Sequence, residues 1–146
     1  MKKITPFLWF DTQAEEAMNF YVSVFKNSKV LGVSPSSVNF ELEGQEFIGF
    51  NAGPEFKFNE SISMFVNCEN QAEVDYFWNK LIADGGEESQ CGWLKDKFGL
   101  SWQIVPKQLG ELMGDSDPEK SQLVMQAMLK MHKIVVADLQ RAYDGL

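Results

Sequence analysis

The sequence predicts an α+β fold in which two tandem βαβββ modules are followed by a C-terminal helical extension. Two amphipathic helical patterns recur at an offset of 57 residues, and two glycine turns followed by apolar strands recur at an offset of 55. The helical stripes are Ala17, Phe20, Tyr21 and Val24 in the first pattern and Val74, Phe77, Trp78 and Leu81 in the second. The turns contain Gly44 and Gly99. Because helices, turns and strands recur in the same order, we interpret the chain as a duplicated module.

The first module begins with an apolar run at 4–10, which is typical of a buried strand. Residues 12–15, Thr-Gln-Ala-Glu, have the form of a capping box and predict a helix over about 13–25. Strands are predicted at 29–33, 37–42 and 46–51, with a tight turn at 43–45 between the last two.

The second module repeats this order. A strand is predicted at 61–67, and Asn70 with Glu73 three positions later predicts a helix that runs to about residue 82. Strands follow at 89–95 and 100–106, with a turn at 96–99. The offset of 57 also places 7–9 on 64–66, and the offset of 55 places 47–50 on 102–105.

The C-terminal extension begins another helix at Asp117, Pro118 and Glu119, which supply a cap, a proline at the first helical position and an acid in the first turn. Its apolar side is rich in methionine and is expected to pack against the sheets or a dimer partner. The sequence therefore predicts one domain over 1–146, with modules at 1–52 and 60–106 and the extension at 107–146.

Charge and hydropathy exclude several classes of partner. The chain has 146 residues and a formal net charge of −8. Nucleic acids and anionic membrane surfaces both attract clustered Lys and Arg, so the sequence predicts neither partner. No apolar run approaches the roughly 20 residues that a membrane span requires. Acidic residues interrupt any signal-peptide core near the N-terminus, so we expect a cytoplasmic protein.

Cysteine and histidine content limits the chemistry. Cys68 and Cys91 are expected to be free thiols in a reducing compartment. A reactive thiolate is conceivable at either, but an inert buried thiol is the commoner case. His132 is the one histidine, and its position in the polar tail predicts a solvated surface residue.

Two long motifs resemble a known family. They are PFLWFD followed by AEEAMNFY within residues 6–21, and CGWLKDKFGLSWQI at 91–104, and the tail at 127–143 is similar as well. These residues resemble the PhnB-like branch of the vicinal oxygen chelate superfamily, the glyoxalase/bleomycin resistance/dioxygenase group. The resemblance covers essentially the whole chain. It implies paired modules whose mixed sheets form a cup, and it implies a homodimer.

Members of this branch often carry the label 3-demethylubiquinone-9 3-methyltransferase. A Rossmann-type site for S-adenosylmethionine needs a glycine-rich turn between a strand and a helix. Gly32 stands alone, the pair at 85–86 follows a helix, and Gly92 and Gly99 fall in a strand and a turn. The sequence therefore argues against methyl transfer at a site of that kind.

The resemblance also implies four positions at which metal-binding members place ligands. They correspond here to Ile4, Ile48 (or Phe50 if the register slips), Ser61 and Gln103. Only Gln103 has a side chain that commonly binds metal in this fold, and a catalytic ion generally has at least three protein ligands. We therefore expect no metal and no other cofactor.

Strand alternation predicts what lines the cup instead. The proposed ligand-binding residues are Leu8, Phe10, Ile48, Phe50, Ser61, Ser63, Phe65, Asn67 and Gln103. Trp9, Met64, Val66 and Trp102 are expected on the opposite face beneath the helices, and the face of Cys91 and Trp93 is left open. An aromatic lining with a few hydroxyl and amide groups suits a small, partly apolar organic ligand. The alternative is a cup that is simply a filled core.

Three functions follow from these observations. The first is metal-independent binding of a small molecule, with or without catalysis. The second is a metal-dependent glyoxalase- or dioxygenase-like enzyme whose ligands are shared across a dimer. The third is sequestration of a drug or metabolite, as in bleomycin-resistance proteins. No catalytic residue is assigned.

Overall fold

The computed structural model describes residues 2–146, which form two compact units, the first ending at Phe58 and the second beginning at Asn59. Each unit contains a βαβββ module with one four-stranded sheet and a helix packed on one of its faces. Three further helices follow in the second unit. The predicted α+β fold, with two modules and a helical extension, is confirmed.

The first unit contains β1 (Phe7–Phe10), α1 (Ala14–Val24), β2 (Ser28–Val33), β3 (Ser37–Leu42) and β4 (Gln45–Asn51). The sheet has the order β1-β4-β3-β2, in which β1 is parallel to β4 and the other pairs are antiparallel. The predicted apolar stripe of α1 faces the sheet, because Ala17, Tyr21 and Val24 are buried.

The second unit repeats this topology with β5 (Met64–Cys68), α2 (Gln71–Leu81), β6 (Glu87–Glu88), β7 (Trp93–Lys95) and β8 (Ser101–Pro106). The sheet order is β5-β8-β7-β6, and β5 is parallel to β8. The predicted cap is confirmed, since the Asn70 side chain accepts from the Glu73 N–H at 3.0 Å. Glu73 in turn accepts from the N–H of Glu69, the residue before the cap, at 2.7 Å, which ties the incoming chain to the first turn of the helix.

The extension consists of α3 (Lys107–Met113), α4 (Pro118–Met128) and α5 (Val136–Tyr143). The predicted cap at Asp117 is confirmed, because its carboxylate accepts from the Glu119 N–H at 3.0 Å. The three helices form an apolar cluster with the end of β8, and its buried members are Val105, Leu109, Val124, Ile134 and Leu139. The apolar side of the extension is therefore buried mainly by the three helices packing on one another, with Val105 contributed by the sheet.

Two predicted strands begin too early. The strand predicted at 4–10 begins at Phe7, directly after Pro6, which has no N–H to donate to a sheet. Ile4 precedes it and is 84% exposed. The strand predicted at 61–67 begins at Met64, because Ser61 lies in a turn where its N–H donates to the Asn59 side chain at 2.9 Å.

The predicted cap of α1 is wrong. Gln13, rather than Thr12, occupies the cap position, and its side chain makes no capping hydrogen bond among the described residues. The side-chain oxygen of Asn51, the last residue of β4, instead accepts from the Ala14 N–H at 2.9 Å. A partner 37 residues away in sequence satisfies the helix end, so the local motif was misleading.

The strand predicted at 89–95 is wrong in its extent, because only Trp93–Lys95 (β7) forms a strand and the short strand β6 precedes the predicted start. β6 and β7 form an antiparallel hairpin whose turn contains Cys91 at φ 58° and Gly92 at φ 84°. Both values lie in the left-handed region, which interrupts a strand. With β6 included, the second module has three strands after its helix, as the duplication predicts. None of the helices in the described part of the chain is long and apolar enough to cross a membrane.

Candidate functional site

Each sheet has one face under its helix and one face turned away from it, which we call the open face. In the first unit, Phe10 lies under α1, because an added Cβ at Gly49 would meet Phe10 at 3.4 Å and Ala14 of α1 at 3.5 Å. Ile48 and Phe50 alternate with Gly49 along β4 and therefore lie on the open face.

The prediction that Leu8 and Phe10 lie on the same face as Ile48 and Phe50 is wrong. Leu8 and Phe10 are only 5% and 4% exposed and belong to the core beneath α1. The open face of β1 instead carries Phe7 and Trp9, which pair in register with Ile48 and Phe50. The prediction that Trp9 lies beneath the helix is wrong for the same reason.

A one-residue difference between the modules explains this error. Three residues, 11–13, connect β1 to α1, whereas two residues, 69–70, connect β5 to α2. The helices α1 and α2 therefore match at an offset of 57 residues. The strands β1 and β5, compared by their pairing partners on β4 and β8, match at an offset of 58 residues. A slip of one residue moves every side chain of a strand to the other face.

In the second unit, most of the predicted ligand-binding residues lie together on the open face. Phe65 on β5 pairs with Gln103 on β8, and Gln103 pairs with Trp93 on β7, so three neighbouring strands contribute one row. The Gln103 amide donates to the Ser63 hydroxyl at 2.9 Å. Asn67 lies two positions along β5 from Phe65 and shares its face. Ser61, in the turn before the strand, does not join this row.

The opposite face of this sheet carries Met64, Val66 and Trp102, as predicted, of which Trp102 is buried and the other two are half-buried. Trp102 is 3% exposed, and its indole N–H donates to the Asp96 carboxylate at 2.8 Å. Asp96 also accepts from the Phe98 and Leu100 N–H groups and so fixes the turn before β8. These polar atoms are engaged in structural hydrogen bonds.

A cavity of about 230 Å³ lies beside the row, at the β6–β7 edge of the open face. Its polar lining includes Glu60, Glu87, Glu88, Lys95 and Ser101. Lys95 forms an ion pair with Glu60, and hydrogen bonding within the pair raises the pKa of Lys95 and lowers that of Glu60. Sequence reasoning missed this cavity, because its acids lie outside the motifs and the strand β6 was not predicted.

The remaining candidate groups are not arranged for nucleophilic chemistry. Cys68 is buried, and desolvation raises the pKa of its thiol to about 12, so it is protonated at neutral pH. His132 is exposed, as predicted, with Nδ1 2.9 Å from the Ser89 carbonyl oxygen.

The residues at the four positions implied for a metal do not fit one. Ile4 and Ile48 have no donor atoms, and Ser61 and Gln103 offer only neutral oxygens. Among residues 2–146, no group of three or more His, Cys, Asp or Glu side chains could hold a metal ion.

Comparison with known proteins identifies relatives of the two modules. Residues 2–105 match the family described as 3-demethylubiquinone-9 3-methyltransferase. A PhnB protein of solved structure from Bacillus cereus is 35% identical, with a TM-score of 0.67 over 72% of this chain and 99% of that chain. No curated protein matches the chain.

More distant structures share the fold. Protein PA1353 from Pseudomonas aeruginosa is 18% identical, with a TM-score of 0.58 over 73% of this chain and 98% of that chain. The fosfomycin resistance protein FosX from Listeria monocytogenes, solved with Mn(II) and sulfate, is 15% identical, with a TM-score of 0.54 over 70% of this chain and 88% of that chain. At these identities the likeness shows the fold alone. The family match ends at residue 105, so α3–α5 lie outside it.

Proposed function

The chain belongs to the 3-demethylubiquinone-9 3-methyltransferase family, and from this premise we propose that it binds a small, partly apolar organic molecule on the open face of its second unit. The observation that carries the proposal is the row formed by Phe65, Gln103 and Trp93. Phe65 is 59% exposed although it lies within a strand. An exposed aromatic ring beside an oriented amide provides both apolar contact and a polar anchor for a ligand.

The Gln103 amide is suited to orient such a ligand. Its N–H group donates to Ser63, and its side-chain oxygen retains the capacity to accept a hydrogen bond from a ligand. Ser63 fixes the direction of the amide, because the hydroxyl accepts from the nitrogen end. A pre-oriented acceptor loses little conformational freedom when a ligand binds.

The family's name does not imply methyl transfer by this chain. The strand-to-helix connections at 11–13 and 69–70 contain no glycine, and both sheets are mixed rather than doubly wound. The donor chemistry at the four implied metal positions also favours binding without a metal. A ligand held by apolar contact and one or two hydrogen bonds needs neither cofactor.

The proposal is tested by a search for metabolites that raise the melting temperature, followed by calorimetric titration of the strongest binder. A ligand that binds only the native state must stabilise it. Gln103→Leu should weaken binding by about 1–3 kcal/mol, since the ligand's polar group then lacks its partner. Gln122→Leu, which removes an exposed amide in α4, is the matched control and should leave affinity unchanged.

Two outcomes would refine or refute this function. Tight binding without turnover would assign sequestration rather than catalysis. Equal affinity of the native protein and Gln103→Leu for every ligand found would refute a site on this face.

We further propose that the chain forms a homodimer. The edge strand β2 presents Val30, Leu31 and Val33, which are 44%, 45% and 53% exposed. Exposed apolar edge strands are commonly covered by a partner. Light scattering should report about twice the chain mass at micromolar concentration, and a monomer at high concentration would refute the dimer.

A further inference from the structure

The cavity beside the row contains a buried polar atom that the fold itself does not use. Ser101 is 1% exposed, and its hydroxyl finds no hydrogen-bond partner among residues 2–146. Buried hydroxyl groups are almost always hydrogen-bonded, because leaving one unpaired costs free energy. An unpaired hydroxyl that lines a cavity is therefore placed to interact with a ligand rather than to stabilise the fold.

The position of Ser101 follows from the sheet order. β8, which carries Ser101, lies between β5 and β7. Glu60, just before β5, forms an ion pair with Lys95 on β7, and Lys95 pairs in register with Ser101. Ser101 thus lies beside Lys95, whose ammonium group is held by Glu60 from the turn that precedes β5.

The charges around the cavity favour a cation. Glu60, Glu87 and Glu88 line it against a single ammonium group, that of Lys95. Glu87 pairs in register with Lys95 and shares its face. Glu88, the third carboxylate, accepts a hydrogen bond from the Trp78 indole at 2.8 Å. Since Lys95 is already paired with Glu60, an incoming anion would meet an excess of carboxylates.

The remaining lining suits the organic part of a cationic ligand. Trp93 lines the cavity and also belongs to the row with Gln103 and Phe65. An indole ring attracts an ammonium group through its π face and packs against alkyl or aromatic carbons. At about 230 Å³ the cavity is smaller than a typical pocket of 300–1,000 Å³, so it suits a head group with the rest of the ligand lying along the row.

From these observations we propose that the cavity binds the ammonium group of a small organic amine, with Ser101 as hydrogen-bond acceptor and Glu87 as counter-ion. The proposal rests on the proposed function, because it assigns a chemical class to the ligand of the same open face. The amine donates to the Ser101 hydroxyl oxygen, and its carbon skeleton lies against Trp93.

The test compares three probes of matched shape on the full chain: benzylamine, benzyl alcohol and benzoate. Their dissociation constants are measured by NMR titration at low ionic strength, where attraction between exposed charges is least screened. Benzylamine should bind most tightly and benzoate most weakly. Glu87→Gln should weaken benzylamine binding by up to about fivefold, the upper range for one exposed charge, and leave benzyl alcohol unaffected. Glu55→Gln, an exposed acid in the first unit, is the charge control.

Ser101→Ala tests the role of the hydroxyl in ligand binding separately from any role in folding. The substitution removes a buried unpaired group, so the variant should fold and be at least as stable as the native protein. Benzylamine binding should weaken about tenfold, the effect of losing a hydrogen bond to a charged donor. Ser116→Ala, at an exposed position, should change neither quantity.

The outcomes distinguish this inference from the proposed function. Equal binding of benzyl alcohol and benzylamine, or tighter binding of benzoate, overturns the amine assignment and leaves a ligand on the open face. Absence of benzylamine binding, or binding that Ser101→Ala does not change, also overturns it. The proposed function fails separately, if Gln103→Leu affects no ligand from the metabolite search.

Discussion

Replacing Gln71 by leucine should detach the last helix of the extension from the second module. Gln71 is the first residue of α2, and its amide bridges to the start of α5. The side-chain oxygen accepts from the Val136 N–H at 2.7 Å, and the nitrogen donates to the Ile134 carbonyl at 3.0 Å. Val135, at the cap position of α5, has no polar side chain, so Gln71 supplies the cap from another element.

The magnitude follows from these two hydrogen bonds. A lost helix cap costs about 1 kcal/mol, and a second hydrogen bond to backbone contributes a further 0.5–1.5 kcal/mol or so. Ile134 is fully buried, so its carbonyl has poor access to water when Gln71 is removed. We therefore expect Gln71→Leu to lower the free energy of unfolding of the second unit by about 2–3 kcal/mol.

Gln103→Leu is the matched control, because it makes the same substitution at an amide assigned to ligand binding. Its one hydrogen bond joins two half-exposed side chains, so we expect a loss of at most about 1 kcal/mol. Denaturant unfolding gives both values, and hydrogen exchange of the α5 amides localises the effect. Equal stability of the two variants, with α5 exchange unchanged in Gln71→Leu, would refute the bridging role.

Three further predictions concern a turn, a thiol and metal content. Gly92→Ala should destabilise the second unit by about 2 kcal/mol, because φ is 84° there and the added Cβ would lie 2.8 Å from Ile134 and 3.0 Å from the Ile104 carbonyl; unchanged denaturant unfolding would contradict this. The folded-state pKa of Cys68 is about 12, above its unfolded value, so its contribution to stability is complete below pH 8 and is lost as pH rises towards 12. Between pH 7.5 and 10 the free energy of unfolding should fall by about 2 kcal/mol more in the native protein than in Cys68→Ala, and parallel pH curves would contradict the assignment. Elemental analysis should find well under one Zn, Fe, Ni or Mn per chain, whereas about one ion whose removal abolishes ligand binding would refute metal-free binding.

Local patterns were sufficient to predict the helices and the duplication. The stripes of α1 and α2 recur at one offset. Their predicted members are buried except Phe20 and Phe77, which are half-buried, and α1 also buries Ala14 and Met18. Helical periodicity is a local property, so tertiary contacts did not override it here. The cap of α2 was predictable for the same reason, because Asn70 and Glu73 complete it within one turn.

Features that depend on distant contacts could not be predicted from the sequence. The start of α1 is capped by Asn51, and α5 is capped by Gln71, both from other elements. Gln71 belongs to a helical pattern and gives no local signal of this role.

The candidate site was predicted in part. Strand alternation was sufficient to place Phe65, Ser63, Asn67 and Gln103 on one face, since Phe65 pairs in register with Gln103 and the Gln103 amide reaches Ser63. Leu8 and Phe10 were misplaced, because a one-residue difference in a connection reverses a strand's faces.

The row formed by Phe65, Gln103 and Trp93 is tested most directly by the indole N–H signals of the four tryptophans during ligand titration. Trp9, Trp78 and Trp102 each donate an indole hydrogen bond within the fold, to Gly53, Glu88 and Asp96. With the strongest binder from the metabolite search, the Trp93 signal, identified by its loss in Trp93→Phe, should shift progressively while those of Trp78 and Trp102 stay in place. A shift of Trp78 or Trp102 with Trp93 unchanged would contradict a binding site on the open face.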